Sequence, residues 1–322
     1  MTSEFQNFYR QTDKMLAGRD SPASTEYVPA YTKGLVSLTG AELLQREFPA
    51  RELILSPWLP TKGLTMIYAE RGIGKTWVSL NVAYAVVGGG SFLRWQAPER
   101  RKVVYIDGEM PGSMLKERFA AIVAASDLDP PEDAFRLVAA DLQPDGLPDL
   151  SDPEAQRFYD KSIAGADLVV IDNLSTICRS LRENEADSWQ PVQTWCLRQR
   201  AAGRSVLLIH HAGKSGGQRG TSRKEDILDS VISLRRPPDY RASEGARFEV
   251  HFTKHRGFFG GDAEPFEAQL IDGQWQTGEI QSGDDDDAIK AFRDQGMSLQ
   301  AIADRTGLPK TTIHRKLGKA SQ

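Results

Sequence analysis

The chain has 322 residues, with 40 Lys and Arg against 44 Asp and Glu, for a formal net charge of −4. Hydrophobic residues at 40% and charged residues at 26% exclude a mainly disordered or fibrous chain. The small negative charge argues against a protein that coats nucleic acid over its whole surface. At roughly 100–200 residues per domain, this length suits one large domain with an appendage, or two domains. The first 30 residues hold acids near the start and lack both an apolar stretch and a small-residue cleavage site. No later segment reaches about 18 uninterrupted apolar residues, so a cytoplasmic protein without a membrane partner is expected. Cys178 and Cys196 lack metal-type spacing, which points away from a disulfide framework or a zinc site.

Residues 1–40 are polar with scattered aromatics and no clear period, and read as an arm that packs on a neighbouring subunit or stays disordered. From 41 to 281 short apolar runs alternate with helical stretches. The runs are Leu64-Thr-Met-Ile-Tyr-Ala69, 102–107, 167–172 and 204–210, all rich in β-branched residues. Helical patterns fill 75–88, 111–126, 152–164 and 185–202. This alternation predicts an α/β fold with a mainly parallel sheet. After 226 the closely spaced runs 227–235, 246–254 and 265–277 predict antiparallel strands added at one edge. Ser282-Gly-Asp-Asp-Asp-Asp287 cannot build a core and reads as an acidic linker over 282–287. The same aspartates would also suit the first turn of a following helix.

Beyond it, residues 288–322 hold seven basic and two acidic residues, a net +5, which leaves −9 on the rest. A short amphipathic helix over 287–294 is followed by Ser298–Gly307, stopped at glycine, and by Pro309–Leu317, opened by a proline suited to a first helical turn. The spacing of Ala301, Ile302, Ile313 and Leu317 is that of a small all-α helix-turn-helix. Lys310, Thr311, Thr312, His314 and Arg315 then form its groove-facing side, in reach of phosphates and base edges of double-stranded DNA. A hairpin used for protein contact is the alternative.

The first run leads into Ala69-Glu-Arg-Gly-Ile-Gly-Lys-Thr76, directly before a helix. This is the strand–GxxxxGK[ST]–helix pattern with Ala69 in place of the first glycine. Gly72 and Gly74 let backbone N–H groups curl around phosphate oxygens, within a nucleotide-contacting stretch of Glu70, Arg71, Gly72, Ile73, Gly74, Lys75, Thr76 and Trp77. Lys75 would neutralise phosphate charge, and Thr76 would offer its hydroxyl to Mg²⁺. Three further residues stand at strand carboxyl ends, where ligands of open α/β sheets bind. Asp172 closes Leu-Val-Val-Ile-Asp, as a Mg²⁺-holding aspartate would. Glu109, in Ile106-Asp-Gly-Glu-Met110, would deprotonate an attacking water, with Asp107 as its competitor. His210 and His211 end the fourth run, and adjacent strand residues face opposite ways, so at most one can sense a γ-phosphate directly.

Together the phosphate loop, Ile-Asp-Gly-Glu-Met, Val-Val-Ile-Asp-Asn and Leu-Leu-Ile-His-His-Ala-Gly-Lys followed by Gln-Arg-Gly-Thr-Ser resemble the RecA-like P-loop ATPases of the plasmid RepA type, which are hexameric replicative helicases. The likeness covers roughly 50–280. It implies ATP and Mg²⁺ as cofactors, Lys75 and Thr76 as the Walker A pair, Glu109 as catalytic glutamate and Asp172 as the Walker B aspartate. It further implies that His211 couples the nucleotide to a DNA-facing loop carrying Lys214 and Arg219. Thr253-Lys-His-Arg-Gly257 is similar to an element of DnaB-type ring helicases that reaches a neighbouring subunit's γ-phosphate. Arg256, with Lys254, would be the arginine finger in trans, and Arg219 is its rival. The resemblance thus implies a homo-oligomer, a ring of six, with single-stranded DNA in its channel. Ala69 and the basic tail depart from the plasmid helicases. The expected function is a DNA-dependent ATPase, a ring-forming helicase or DNA motor of a plasmid, phage or integrative element. The alternatives are an ATP-switched DNA-binding regulator and a RecA-like recombination protein.

Overall fold

A computed structural model of the chain describes residues 36–48, 51–181, 186–213, 222–280, 285–306, 308 and 310–319. The chain divides into two compact units, Met1–Ala50 and Arg51–Gln322. In the first unit α1 (Gly40–Gln45) opens with a reciprocal cap. Thr39 Oγ1 accepts from the Glu42 N–H at 3.2 Å, and the Thr39 N–H donates to Glu42 Oε2 at 2.7 Å, satisfying two helix-end donors.

The second unit is a nine-stranded sheet with helices on both faces and a helical tail. Its strands are β1 (Leu64–Ala69), β2 (Val103–Asp107), β3 (Phe135–Ala139), β4 (Leu168–Asp172), β5 (Ser205–His211), β6 (Ser230–Arg235), β7 (Arg247–His255), β8 (Phe266–Ile271) and β9 (Gln274–Gly278). The strand order is β9-β8-β7-β6-β1-β5-β4-β2-β3. Two short ribbons, Leu53–Leu55 with Leu59–Pro60 and Ser91–Phe92 with Trp95–Gln96, stand outside it.

Strands β6, β1, β5, β4, β2 and β3 run parallel, and β7, β8 and β9 add antiparallel. The run expected at 227–235 as an antiparallel edge strand is therefore corrected. As β6 it is a parallel strand beside β1, with Val231 opposite Met66. The chain reaches it by a crossover from the end of β5 rather than by a hairpin, and a long crossover allows the parallel sense. The run at 265–277 is two strands, because Asp272 and Gly273 both adopt positive φ and turn the chain between β8 and β9. β3 was not foreseen; only Ala139 of its five residues is fully buried, so its apolar signal is weak.

Burial on both faces follows from side-chain alternation along β1. Leu64, Met66 and Tyr68 enter one apolar cluster, and Ile67 and Ala69 the other. The helices α2 (Lys75–Gly88), α3 (Gly112–Ala124), α4 (Gln156–Ser162) and α6 (Gln190–Ala201) fall within the predicted stretches, and the short α5 (Leu174–Ile177) was not foreseen. Burial also makes Cys178 and Cys196 inert: both are free, and loss of water pushes the Cys196 thiol up to about 12.

The tail comprises α7 (Asp285–Asp294), α8 (Leu299–Thr306) and α9 (Lys310–Lys319). Asp285, Asp286 and Asp287 belong to the first turn of α7, so the spacer expected at 282–287 is shorter than its aspartate run. Residues 281–284 lie outside the described residues. Ile289 and Phe292 of α7, Ile302 of α8 and Ile313 of α9 form the tail's own small apolar cluster. Among the described residues no helix is long and apolar enough to cross a membrane.

Candidate active site and helical tail

The parallel strands bring their carboxyl ends to one edge of the sheet. Ala69 stands opposite His211, and Asp107 opposite Asp172. Gly72 and Gly74 take φ of +74° and +111°, left-handed values that favour glycine, and Gly74 caps α2. Ala69 remains fully buried at the end of β1, with Ile67 in its cluster, so its methyl is part of the core.

The Lys75 ammonium donates to the carbonyls of Ala69 at 3.0 Å and Glu70 at 2.8 Å. Burial lowers its pKa to about 8, against the pull of Asp172 and Glu109, which favour the charged form. Asp172 is buried, and its Oδ2 accepts from the Tyr105 hydroxyl at 2.6 Å and from Ser79 Oγ at 3.3 Å. Thr76 lines the same cavity and its hydroxyl favours the charged form of this carboxyl, which brings the two expected Mg²⁺ ligands together. Burial raises the Asp172 pKa, and these hydroxyls oppose that rise.

Asp107 uses Oδ1 to accept the N–H groups of Glu109 at 2.8 Å and Met110 at 2.6 Å, while its buried Oδ2 has no partner among the described residues. Burial, followed by the charge of Asp172, raises it to about 7. The Asp107 carboxyl thus shapes the turn that presents Glu109. The Glu109 carboxylate is more than half exposed, accepts a hydrogen bond from Asn173 Nδ2 and lies 3.9 Å from His211 Nε2. His210 turns to the other face, where Lys224 Nζ stands 3.5 Å from its Nε2. That divides the histidine pair as strand alternation requires.

These residues surround a cavity of about 380 Å³ lined by Gly72, Lys75, Thr76, Asp107, Glu109 and Asp172, among others. Arg71, Trp77 and His211 also line it. Ile73 is buried below in the core, and Glu70 lies on the rim. The cavity suits a nucleotide phosphate chain: two left-handed glycines, one ammonium, and a hydroxyl beside a carboxylate for Mg²⁺. A three-carboxylate or histidine metal cage is absent among the described residues.

Lys254 and Arg256 lie elsewhere. His255 pairs with Ser230, and Ser230 with Thr65, so the end of β7 is at the opposite end of the sheet from the phosphate loop. There Lys254 Nζ donates to the Glu225 carbonyl, and Arg256 Nη2 to the Asp226 carbonyl at 3.4 Å. Lys214 and Arg219 fall outside the described residues. In the tail Lys310, Thr311 and His314 are exposed, while the side chains of Thr312 and Arg315 lie outside the described residues.

Sequence reasoning missed residues that complete the site, Ser79 beside Asp172 among them. Tyr105 holds Asp172, Asn173 holds Glu109, and Met114 and Arg118 reach the cavity from α3. Arg118 also covers Trp77, its guanidinium 5.4 Å from the ring centre. Tyr105 is two residues before Asp107 and faces the α2 side of the sheet, a signal visible in strand alternation. The i, i+4 spacing of Met114 and Arg118 gives a shared helix face but not what that face meets.

Residues 32–217 match the AAA domain family, more than half of the chain. The chain belongs to that family. The AAA domain is a RecA-like P-loop ATPase, and the match spans the phosphate loop, Glu109, Asp172 and His211. Residues 291–318 match the IclR helix-turn-helix domain, which covers α8 and most of α9. None of the curated proteins matches the chain. An AAA domain joined to a DNA-binding helix-turn-helix makes this a DNA-associated ATPase.

Proposed function

We propose that the chain is a DNA-dependent ATPase of the ring-forming replicative-helicase or DNA-motor type, related to the plasmid RepA helicases. It serves a plasmid, phage or integrative element, and hydrolyses ATP between the subunits of a homo-oligomer, a ring of six. The observation that carries this reading is the Glu109 carboxylate, oriented by Asn173 and near His211, in one cavity with Lys75, Thr76 and Asp172.

Backbone N–H groups of residues 72–76 and the Lys75 ammonium hold the β- and γ-phosphates. Thr76 and Asp172 would hold Mg²⁺, which would neutralise phosphate charge during the transfer. Tyr105 and Ser79 occupy Oδ2 of Asp172, so that carboxyl keeps one orientation. Glu109 takes a proton from the water that attacks the γ-phosphorus, and Asn173 sets the direction of its lone pairs. His211 leads from this carboxylate into the segment after β5, which carries Lys214 and Arg219 toward single-stranded DNA. Lys254 and Arg256, at the far end of the sheet, reach a phosphate only in a neighbouring subunit, which supports hydrolysis in the assembled state. The tail, through Lys310, Thr311, Thr312, His314 and Arg315, attaches the assembly to double-stranded DNA.

Glu109→Gln tests this reading. Turnover stimulated by single-stranded DNA is expected to fall by about 10²–10⁴-fold while ATP binding is kept, trapping an ATP-bound oligomer. Unchanged turnover would sink the hydrolytic motor. It would favour a second reading, an ATP-switched DNA-binding regulator, supported by the match of the tail to the IclR helix-turn-helix and by the tail's contacts with the phosphate loop.

A further inference from the structure

Helix α8 meets the ATPase core through Arg305. Arg305 Nη2 donates to the Arg236 carbonyl at 3.0 Å, just beyond β6, and the Arg305 carbonyl accepts from Arg235 Nη1. The second bond satisfies a carbonyl in the last turn of α8, where no further helical N–H is available. The guanidinium lies 4.8 Å from the centre of the Phe292 ring, so the same side chain covers the tail's small core. Its Nη1 stands 3.7 Å from Glu70 Oε1, in the phosphate loop.

Arg236 continues this array. It covers Tyr240 at 4.4 Å, and its Nη2 is the nearest neighbour, 3.7 Å away, of the place a side chain at Gly72 would occupy. The Nε groups of Arg236 and Arg305 are buried and have no hydrogen-bond partner among the described residues. Arg71, Lys75, Arg235, Arg236 and Arg305 thus gather at the loop and its rim, where Glu70 is the acid that Arg305 meets. Lys75 is buried, Arg235, Arg236 and Arg305 are partly buried and Arg71 is exposed, and like charges gathered in this way are balanced by added negative charge. Lys75 also donates to the carbonyls of Ala69 and Glu70, so a phosphate that competes for its ammonium acts on the residue Arg305 meets.

We propose that the helical tail is docked on the rim of the phosphate loop through Arg305, and that nucleotide phosphate in the loop tightens this docking. The proposal rests on the loop being the nucleotide site. It makes the tail a sensor of nucleotide occupancy: α9, with Lys310, Thr311 and His314 exposed, is held against the core most firmly when the loop is filled. Linkage is reciprocal, so a docked tail must also strengthen nucleotide binding.

The test uses the full chain, a non-hydrolysable ATP analogue with Mg²⁺, and two readouts. Hydrogen exchange over 299–306 is expected to slow when the analogue saturates the wild type. Binding of a fluorescent ATP analogue is expected to weaken by about 5-fold or more in Arg305→Ala, the lower range of allosteric coupling. Arg305→Lys keeps the charge without the fork and is expected to fall between the two. If Arg305→Ala unfolds the tail, the wild-type exchange decides alone. Exchange over 299–306 that ignores a bound analogue overturns the proposal and leaves the nucleotide site standing. A wild type that binds no analogue overturns both.

Discussion

In the ATPase core, β1, β2, β4 and β5 are buried on both faces by two large apolar clusters. Among the described residues the tail has Ile289, Phe292, Ile302 and Ile313 fully inside, with partly buried side chains around them. The difference is one of scale. A sheet with two covered faces tolerates buried charge at its edge, and Lys75, Asp107 and Asp172 are all buried there. A three-helix unit of this size buries too little apolar surface to stand far above marginal stability, and gains from a contact outside itself. Arg305 serves both needs, covering Phe292 and bonding to the end of β6.

Removing a charge from the core tests the first half of this comparison. Lys75→Ala deletes an ammonium that makes two hydrogen bonds and faces the phosphate site. Nucleotide affinity is expected to fall by on the order of 100-fold, since charge-assisted hydrogen bonds contribute about 1.5–3 kcal/mol each. The melting temperature should change little. Titration calorimetry and thermal unfolding measure the two, and a large loss of stability with retained affinity would reverse the assignment.

Ile302→Ala addresses the second half. Ile302 is fully buried in the tail's four-residue cluster, and its truncation is expected to cost about 2–5 kcal/mol, enough to melt the tail. Hydrogen exchange should become fast over 299–306 and stay slow over β1 and β5. A cooperative loss of protection across core and tail together would mean that the two are a single folding unit.

The smallest expected effect is a pH dependence confined to the core. The folded Asp107 carboxyl titrates at about 7 against an ordinary 3.8, because burial and Asp172 disfavour its charge. Between about pH 4 and pH 7 the folded chain therefore holds a proton that the unfolded chain has released. Stability from this group falls as pH rises through that window. Asp107→Asn should flatten the dependence of the melting temperature over the same window, while exchange in the tail stays as in the wild type. An unaltered slope in the variant would show that Asp107 keeps an ordinary carboxylate.

Much of the core was legible because its signals are local. Mainly apolar strands of five to seven residues, a glycine loop and a following helix all act within a few residues of each other. Val231–Leu234 was legible as a strand but not in direction, since the residues of a strand do not encode which neighbour it will meet. The lining of the cavity was legible in Lys75, Thr76, Glu109, Asp172 and His211, which open a helix or stand at or just beyond strand ends. It was not legible in Tyr105 and Asn173, whose roles depend on partners 67 and 64 residues away in the chain.

The amino-acid sequence alone determined the alternation of strands and helices, the phosphate loop, the acids at the strand ends and the separate basic tail, because each rests on periodicity or backbone chemistry within one short segment. Only the tertiary structure decided that β6 runs parallel to β1, that Glu109 is held between Asn173 and His211, that Lys254 and Arg256 stand at the far end of the sheet, and that Arg305 ties the tail to the phosphate loop. Those relations are set by packing between segments far apart in the chain. No local pattern carries them.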